Sequence, residues 1–184
     1  MRIKSRRSPL ALLSNPVCYR IVAAVGSRGE QTTESLAASM PDIPPSTLYR
    51  RLAQLREARI LRVVSERPAR GAVERTYALA ARDAAALRPG ESERAPLKRV
   101  RATLRNFIAE TTADAIAYIE NPAFATSRNR FHAALYIAEL TDSEYLGVLA
   151  DISDAIKKAR DRSRASVGVK RHKFYLVARP EGPQ

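Results

Sequence analysis

The chain has few of the residues on which several classes of protein depend. Its 184 residues include a single cysteine, Cys18, so no disulfide can form within the chain and a cysteine-rich secreted scaffold is excluded. Seven glycines supply little material for nucleotide-cradling turns, and no phosphate-binding glycine loop, serine nucleophile elbow or His-rich helical motif is present. We therefore expect no enzymatic activity, no catalytic residue and no cofactor.

Metal ligands and long apolar runs are scarce as well. With Cys18, the two histidines His132 and His172 are too few for a closed metal site within one chain, and only a site shared across a dimer stays open. No segment approaches the ~20 apolar residues of a membrane span. The apolar run at residues 10–13 is too short for a signal peptide. The sequence predicts a soluble, cytoplasmic protein with no metal site within one chain and no membrane span.

Positive charge is what the chain has in excess. Lys and Arg number 32 against 19 Asp and Glu, which gives a net charge of +13. Residues 1–80 hold 14 of these cations and only 6 of the acids, so the excess is greatest in the shorter part. A clustered basic face gains affinity for a polyanion by displacing counterions from phosphates. Nucleic acid is the predicted partner, with an anionic membrane or mere solubility as alternatives.

Two short helical patterns open the N-terminal part. Asn15 and Pro16 form an N-cap and first-turn pair, after which apolar residues recur at helical spacing. A polar loop over residues 27–31 follows, and Thr32 or Thr33 then caps a second short helix. Since a tight, proline-containing link comes next, we predict a sharp turn into a third helix.

The third helix, predicted to begin at Pro44-Pro45, has two chemically different sides. Leu48, Leu52 and Leu55 fall within a narrow sector at 100° per residue, so we expect them to face the core. Hydroxyl, amide, phenol and guanidinium groups, which can contact bases and phosphates, occupy the other side and its flanks. These residues are Ser46, Thr47, Tyr49, Arg50, Arg51 and Gln54.

Two runs of strand-like composition follow, over residues 60–65 and 73–79. The segment between them contains Arg67, Arg70 and Gly71. A hairpin tip of this composition can lie along a minor groove or a sugar-phosphate backbone, where charge matters more than base identity. We therefore predict a β-hairpin whose two arginines contact DNA.

The order of these elements resembles a known family of proteins. Residues 15–25 (NPVCYRIVAAV), 46–52 (STLYRRL) and 70–77 (RGAVERTY) are similar to the winged helix-turn-helix of bacterial ArsR-like and PadR-like transcriptional regulators. The resemblance covers about the first 80 residues. It implies a cytoplasmic homodimer that binds a pseudo-palindromic operator in double-stranded DNA and usually represses. It also implies that the six polar residues of the third helix read the major groove and that Arg67 and Arg70 occupy the wing.

The rest of the chain is predicted to form a linker, residues 81–96, and a smaller module, residues 97–184. A long amphipathic helix begins at Leu97 and ends before Asn121, a strand covers residues 131–140, a second helix begins near Thr141, and a last strand covers residues 174–178. The predicted fold class is therefore α+β, with a winged helix-turn-helix in residues 1–80 followed by an α-β-α-β module.

The second module commonly dimerises or senses a ligand in regulators of this kind. No residue is assigned to an effector, and whether a small-molecule effector exists stays open. The leading prediction is a sequence-specific dimeric repressor. The alternatives are a nonspecific architectural DNA-binding protein and a winged helix that binds other proteins. A redox switch at Cys18 is a further alternative that requires an exposed thiol.

Overall fold

The computed structural model describes residues 9–69, 72–80, 95–122, 133–134, 136–163 and 172–179. These residues form a mixed fold of helices and a small three-stranded antiparallel sheet. The chain divides into two compact units, residues 1–121 and 122–184. Of the predicted linker, only Ala95 and Pro96 belong to the described residues.

Two helices open the first unit, α1 (Pro9–Leu13) and α2 (Pro16–Arg28). The predicted cap of α2 is confirmed, because Asn15 Oδ1 accepts a hydrogen bond from the backbone N–H of Cys18 over 3.2 Å. Sequence periodicity does not predict α1, since five residues are too few to show a helical repeat. Its three leucines are nevertheless buried, so α1 belongs to the core.

A short strand, β1 (Gln31–Thr32), leads into the next two helices, α3 (Thr33–Ser39) and α4 (Pro45–Glu57). Thr32 caps α3 by accepting a hydrogen bond from the Ser35 N–H over 3.1 Å. Pro44 has no side-chain cap to offer α4, but its carbonyl accepts from the N–H groups of Thr47 and Leu48. The predicted second and third helices are thus α3 and α4, joined by a turn over residues 40–44.

The predicted hairpin consists of β2 (Leu61–Ala69) and β3 (Ala72–Leu79). With β1 it forms an antiparallel sheet in the order β1-β3-β2. The register pairs Leu61 with Leu79 at the inner end and shifts between Val63 and Ser65, so Val64 is an extra residue in a β-bulge. The sequence prediction assigned residue 31 to a loop and did not include β1.

A single apolar cluster holds these elements together. Leu36 of α3 and the predicted leucines of α4 pack there with residues of α1, α2 and the inner hairpin, including Ile21 and Tyr77. Leu52 and Leu55 are completely buried. Burying a leucine side chain contributes roughly 1.5–3 kcal/mol to stability, so the apolar side of α4 is one of the main anchors of the unit.

The long helix predicted from Leu97 is present as α5 (Leu97–Glu120). The prediction placed it in the second module, whereas in the structure α5 packs against α1 and α2 of the first unit. Asn106 Nδ2 donates a hydrogen bond to the Leu13 carbonyl over 3.0 Å, and Thr103 is buried beside it. Of the apolar residues of α5, Phe107 packs against the core, whereas Leu104 and Ile108 stay exposed.

The second unit contains α6 (Asp142–Ser163), whose predicted start is confirmed. Thr141 and Glu144 form a capping box: the Glu144 carboxylate accepts from the Thr141 N–H over 2.8 Å, and Thr141 Oγ1 accepts from the Glu144 N–H over 3.3 Å. Thr141 Oγ1 also donates to Glu144 Oε2 over 2.7 Å, and this bond, with the smaller effect of the Thr141 N–H bond, lowers the pKa of Glu144.

The two strands predicted for the second module are not found in the described residues. Residues 133–134, 136–140 and 172–179 belong to no strand. Tyr136 is 83% exposed and Phe174 is 71% exposed, so the described residues leave these two side chains largely uncovered. The prediction was wrong here because strand composition does not supply the pairing that a strand requires.

Candidate nucleic-acid interface

The α3–turn–α4 segment presents one face of α4 to solvent. Leu48, Leu52 and Leu55 hold the opposite face in the core, as predicted. On the outer face Ser46, Tyr49 and Arg50 are exposed. The other predicted contact residues of this helix, Thr47, Arg51 and Gln54, are half-buried. The six predicted residues therefore lie on one helix, three of them exposed and three half-buried at the edge of the exposed face.

Two of these edge residues, Arg51 and Gln54, contact each other. Arg51 Nη1 donates a hydrogen bond to Gln54 Oε1 over 2.9 Å. Because a guanidinium can only donate, the amide oxygen of Gln54 has to be the atom that faces Arg51. The NH₂ group of Gln54 then points away from Arg51 and can act only as a donor. The pair restrains Gln54 and gives it a defined hydrogen-bonding character.

A salt bridge between elements braces the turn that precedes α4. Arg20 of α2 donates two hydrogen bonds to the carboxylate of Asp42, from Nη1 over 2.6 Å and from Nη2 over 2.9 Å. Arg20 Nε also lies 3.9 Å from Glu110 Oε1 on α5. One guanidinium therefore connects α2, the turn and α5. No sequence pattern indicated this pair, because its members are 22 positions apart.

The charges of this brace persist at neutral pH. The side-chain hydrogen bond from Arg20 lowers the pKa of Asp42, and the same bond raises the pKa of Arg20. Burial raises the pKa of the neighbouring Tyr19 to about 12, and the negative charge of Glu110 adds to this effect. The Arg20–Asp42 pair is thus ionised while Tyr19 stays neutral, so neither changes state near pH 7.

The end of α4 adopts a conformation that its sequence does not indicate. Arg59 has a φ of 59°, in the left-handed region, where glycine is the usual residue. Its N–H donates to the Arg56 carbonyl over 2.9 Å, and the Ile60 N–H donates to the Leu55 carbonyl over 3.0 Å. These two bonds form a Schellman motif that ends the helix and turns the chain into β2.

The hairpin carries both paired and unpaired charges. Arg75 Nε donates to Glu66 Oε1 over 2.8 Å, a bond that raises the pKa of Arg75. The predicted contact residue Arg67 is exposed and lies opposite Glu74 in the register, but it forms no ion pair within the described chain. Its charge is therefore available to a ligand. The other predicted hairpin residue, Arg70, lies outside the described residues.

Several alternatives to DNA binding can be compared with the described residues. Cys18 is completely buried, which does not suit a redox switch. Among the described residues, no group of three or more His, Cys, Asp or Glu side chains could hold a metal ion. No helix within the described ranges has the length and apolar character needed to cross a membrane.

Comparison with known proteins identifies the same region. A family model described as a helix-turn-helix domain matches residues 13–64. The matched segment contains α2, β1, α3 and α4 and ends at the bulge of β2. No curated protein matches the chain. The helix-turn-helix match, together with the exposed polar face of α4, indicates a DNA-binding protein with a role in transcription regulation.

Proposed function

We propose that this protein is a winged-helix transcriptional regulator of the ArsR-like and PadR-like kind that binds a pseudo-palindromic operator as a homodimer and represses transcription. The observation that carries the proposal is the exposed polar face of α4, held above a row of buried leucines in a segment that matches a helix-turn-helix domain. In this arrangement α4 enters the major groove. The proposal includes no catalytic role.

Base recognition is assigned to Arg50 and Gln54. Arg50 is exposed on the outer face of α4, and an arginine fork can donate two hydrogen bonds to guanine O6 and N7. The NH₂ group of Gln54 is its freely available group, because Arg51 already holds one of the two lone pairs of its amide oxygen. It therefore suits an acceptor such as guanine O6 or thymine O4, whereas the bidentate contact of glutamine with adenine requires both amide atoms.

The hairpin is assigned the role of a wing. Its exposed outer part has Arg67 free of ion pairs within the described chain, which suits a contact with a phosphate. Arg70 is assigned the same role from the sequence resemblance alone. Substituting Arg67 with alanine should weaken binding to all duplexes alike and lower the salt slope by about one unit. A change in base preference would contradict this assignment.

Dimerisation is assigned to an apolar row on α5. Leu104, Ile108 and Ile119 are 41%, 48% and 45% exposed. At 100° per residue they fall within a sector of about 60°, which is the pattern of a helix that packs against another apolar surface. A second copy of the chain, which would present the same row, is the occupant that we propose.

Light scattering tests this interface with two matched substitutions. Ile108→Glu should shift the mass from dimer to monomer, because it places a charge in the proposed interface. Ala113→Glu is the control, since Ala113 is also exposed on α5 but lies at least 120° around the helix from each member of the row. Dissociation by both substitutions, or by neither, would contradict the assignment of this face.

The proposed function is tested by selection of bound fragments from a random duplex library with the purified protein at physiological salt. A two-fold symmetric motif with half-sites about one helical turn apart is the expected result. Fragments recovered without a motif would instead identify an architectural DNA-binding protein. If no duplex binds even at low salt, the helix-turn-helix serves a protein contact.

Single substitutions then test the assignment of base recognition to α4. Arg50→Ala should cost roughly 1–3 kcal/mol of binding free energy and relax the preference at one base pair. Arg56→Ala is the matched control, because it removes the same charge from the same helix outside the proposed reading set. An unchanged base preference in Arg50→Ala would remove Arg50 from that set.

A further inference from the structure

A cleft of about 420 Å³ lies in the first unit, where the start of α5 meets the junction of α1 and α2. Three of its lining side chains are cationic and none is acidic. The cleft is thus electropositive, and it lies on elements that the proposed DNA contacts do not use. Its lining residues are Ser14, Pro16, Leu97, Lys98, Arg101, Ala102, Arg105 and Asn106.

The three cations of the cleft share one side of α5. Lys98, Arg101 and Arg105 follow each other at spacings of three and four residues, which places them within a sector of about 60° on the helix. None of them forms an ion pair within the described chain. Like charges at these spacings destabilise a helix by a few tenths of a kcal/mol per pair, so the arrangement costs stability unless an anion offsets it.

The position of these cations along α5 adds to that cost. They occupy the first nine residues of the helix, near the positive end of its dipole, and the first turn contains no acidic residue. The other long helix, α6, has the opposite and favourable order, with Asp142 and Glu144 in its first turn. The charge order of α5 is therefore a local departure from what helix stability favours.

The other polar groups of the cleft already have backbone partners. Ser14 Oγ donates to the Ala11 carbonyl over 3.1 Å, and Asn106 Nδ2 donates to the Leu13 carbonyl over 3.0 Å. The second bond ties α5 to the end of α1 and leaves the Asn106 carbonyl oxygen as an acceptor. The groups available to bind a ligand are therefore mainly the ammonium of Lys98 and the guanidiniums of Arg101 and Arg105.

From this geometry we infer that the cleft is an oxyanion-binding site that takes a phosphate or carboxylate group through Lys98, Arg101 and Arg105. Such a group can come from a small anionic ligand or from a backbone phosphate of bound DNA. The first source makes the cleft an effector site and is independent of DNA binding. The second rests on the proposed function and adds a contact outside α4 and the hairpin.

The first experiment titrates the full chain with inorganic phosphate and monitors binding by NMR chemical shifts. Phosphate replaces chloride during the titration, so that the ionic strength stays constant. We expect saturable shifts at the start of α5. Arg101→Ala should weaken phosphate binding about tenfold, the value of one charge-assisted hydrogen bond of about 1.4 kcal/mol. Arg99→Ala is the matched control, because Arg99 has the same charge on the same exposed turn but does not line the cleft.

The second experiment measures duplex affinity of the same variants as a function of salt. If the cleft holds a DNA phosphate, Arg101→Ala lowers the salt slope by about one unit and Arg99→Ala does not. If it holds a free anion, the slope stays the same in both variants while only Arg101→Ala loses phosphate affinity. A chain that binds no DNA but still binds phosphate would overturn the proposed function and support the cleft.

Two results would overturn the inference. One is the absence of saturable phosphate binding together with equal salt slopes in both variants. The other is an equal loss of phosphate affinity in Arg99→Ala and Arg101→Ala, which would show that any positive charge at the start of α5 has the same effect. Circular dichroism confirms folding in each variant. We expect no loss, because Arg101→Ala relieves repulsion between like charges and Arg99 forms no ion pair within the described chain.

Discussion

Glycine at position 59 should give a more stable first unit than alanine at the same position. Arg59 has a φ of 59° and belongs to the Schellman motif that ends α4. In this left-handed region the Cβ of any L residue approaches the following carbonyl oxygen, and glycine avoids that contact. The ordinary preference for alanine over glycine in helical segments is therefore reversed at this one position.

The size of the effect follows from two opposing contributions. A Cβ in the left-handed region destabilises the alanine variant by roughly 1–2 kcal/mol. The greater freedom of glycine in the unfolded chain destabilises the glycine variant by about 0.4–1 kcal/mol. The difference favours glycine over alanine by about 0.5–1 kcal/mol. Comparing glycine with alanine is necessary because both remove the guanidinium of Arg59, whose charge at the helix C-terminus is worth about 0.3–1 kcal/mol.

Hydrogen exchange of the Leu52 and Leu55 amides measures this difference in stability within the first unit, independently of the stability of the second unit. Exchange should be about two- to fivefold slower in Arg59→Gly than in Arg59→Ala. Ala58 supplies the control, since its φ of −78° is right-handed and Ala58→Gly should speed exchange. If alanine at position 59 protects these amides as well as glycine does, the backbone at that residue is not strained.

Three further predictions concern the brace, the core and the thiol. In Arg20→Gln the pKa of Asp42 should rise toward its ordinary value in an NMR titration. Because the bridge lowers this pKa in the folded protein, its stabilisation is present above pH ~4 and is lost as pH falls through the folded pKa. An unchanged Asp42 pKa in the variant would show that the bridge is absent in solution. Leu52→Ala should cost about 2–5 kcal/mol in urea unfolding, against roughly 0.5 kcal/mol or less for Val73→Ala on the exposed hairpin; similar costs would contradict the assigned core. Cys18 should react with a thiol reagent only as fast as the unit opens, and rapid labelling of the native protein would contradict its burial.

Sequence reasoning was most successful where a feature depends on neighbours within one turn. The Asn15 cap of α2, the leucine side of α4 and the start of α6 at Thr141 are all local patterns, and the structure contains each of them. Features that join distant segments could not be predicted in this way. The Arg20–Asp42 bridge is one of these, because nothing in either segment indicates the other.

Local patterns also misled where burial depends on a distant partner. The apolar row of α5 fits a helical repeat, yet the helix buries Thr103 and directs Asn106 to the Leu13 carbonyl, while Leu104 remains exposed. For the candidate site, the wheel of α4 correctly separated exposed Arg50 from the core. It could not show that Arg51 would occupy the amide oxygen of Gln54, since that depends on side-chain rotamers.

The bulge at Val64 divides the hairpin into two parts that are under different constraints. On the inner side Leu61 and Tyr77 are buried, so any change of register there would expose core residues. On the outer side Glu66 and Arg67 are exposed, and residues can be inserted, removed or recharged there with little loss of stability. A duplicated gene could therefore acquire an arm of new length and charge while inheriting the same core unchanged.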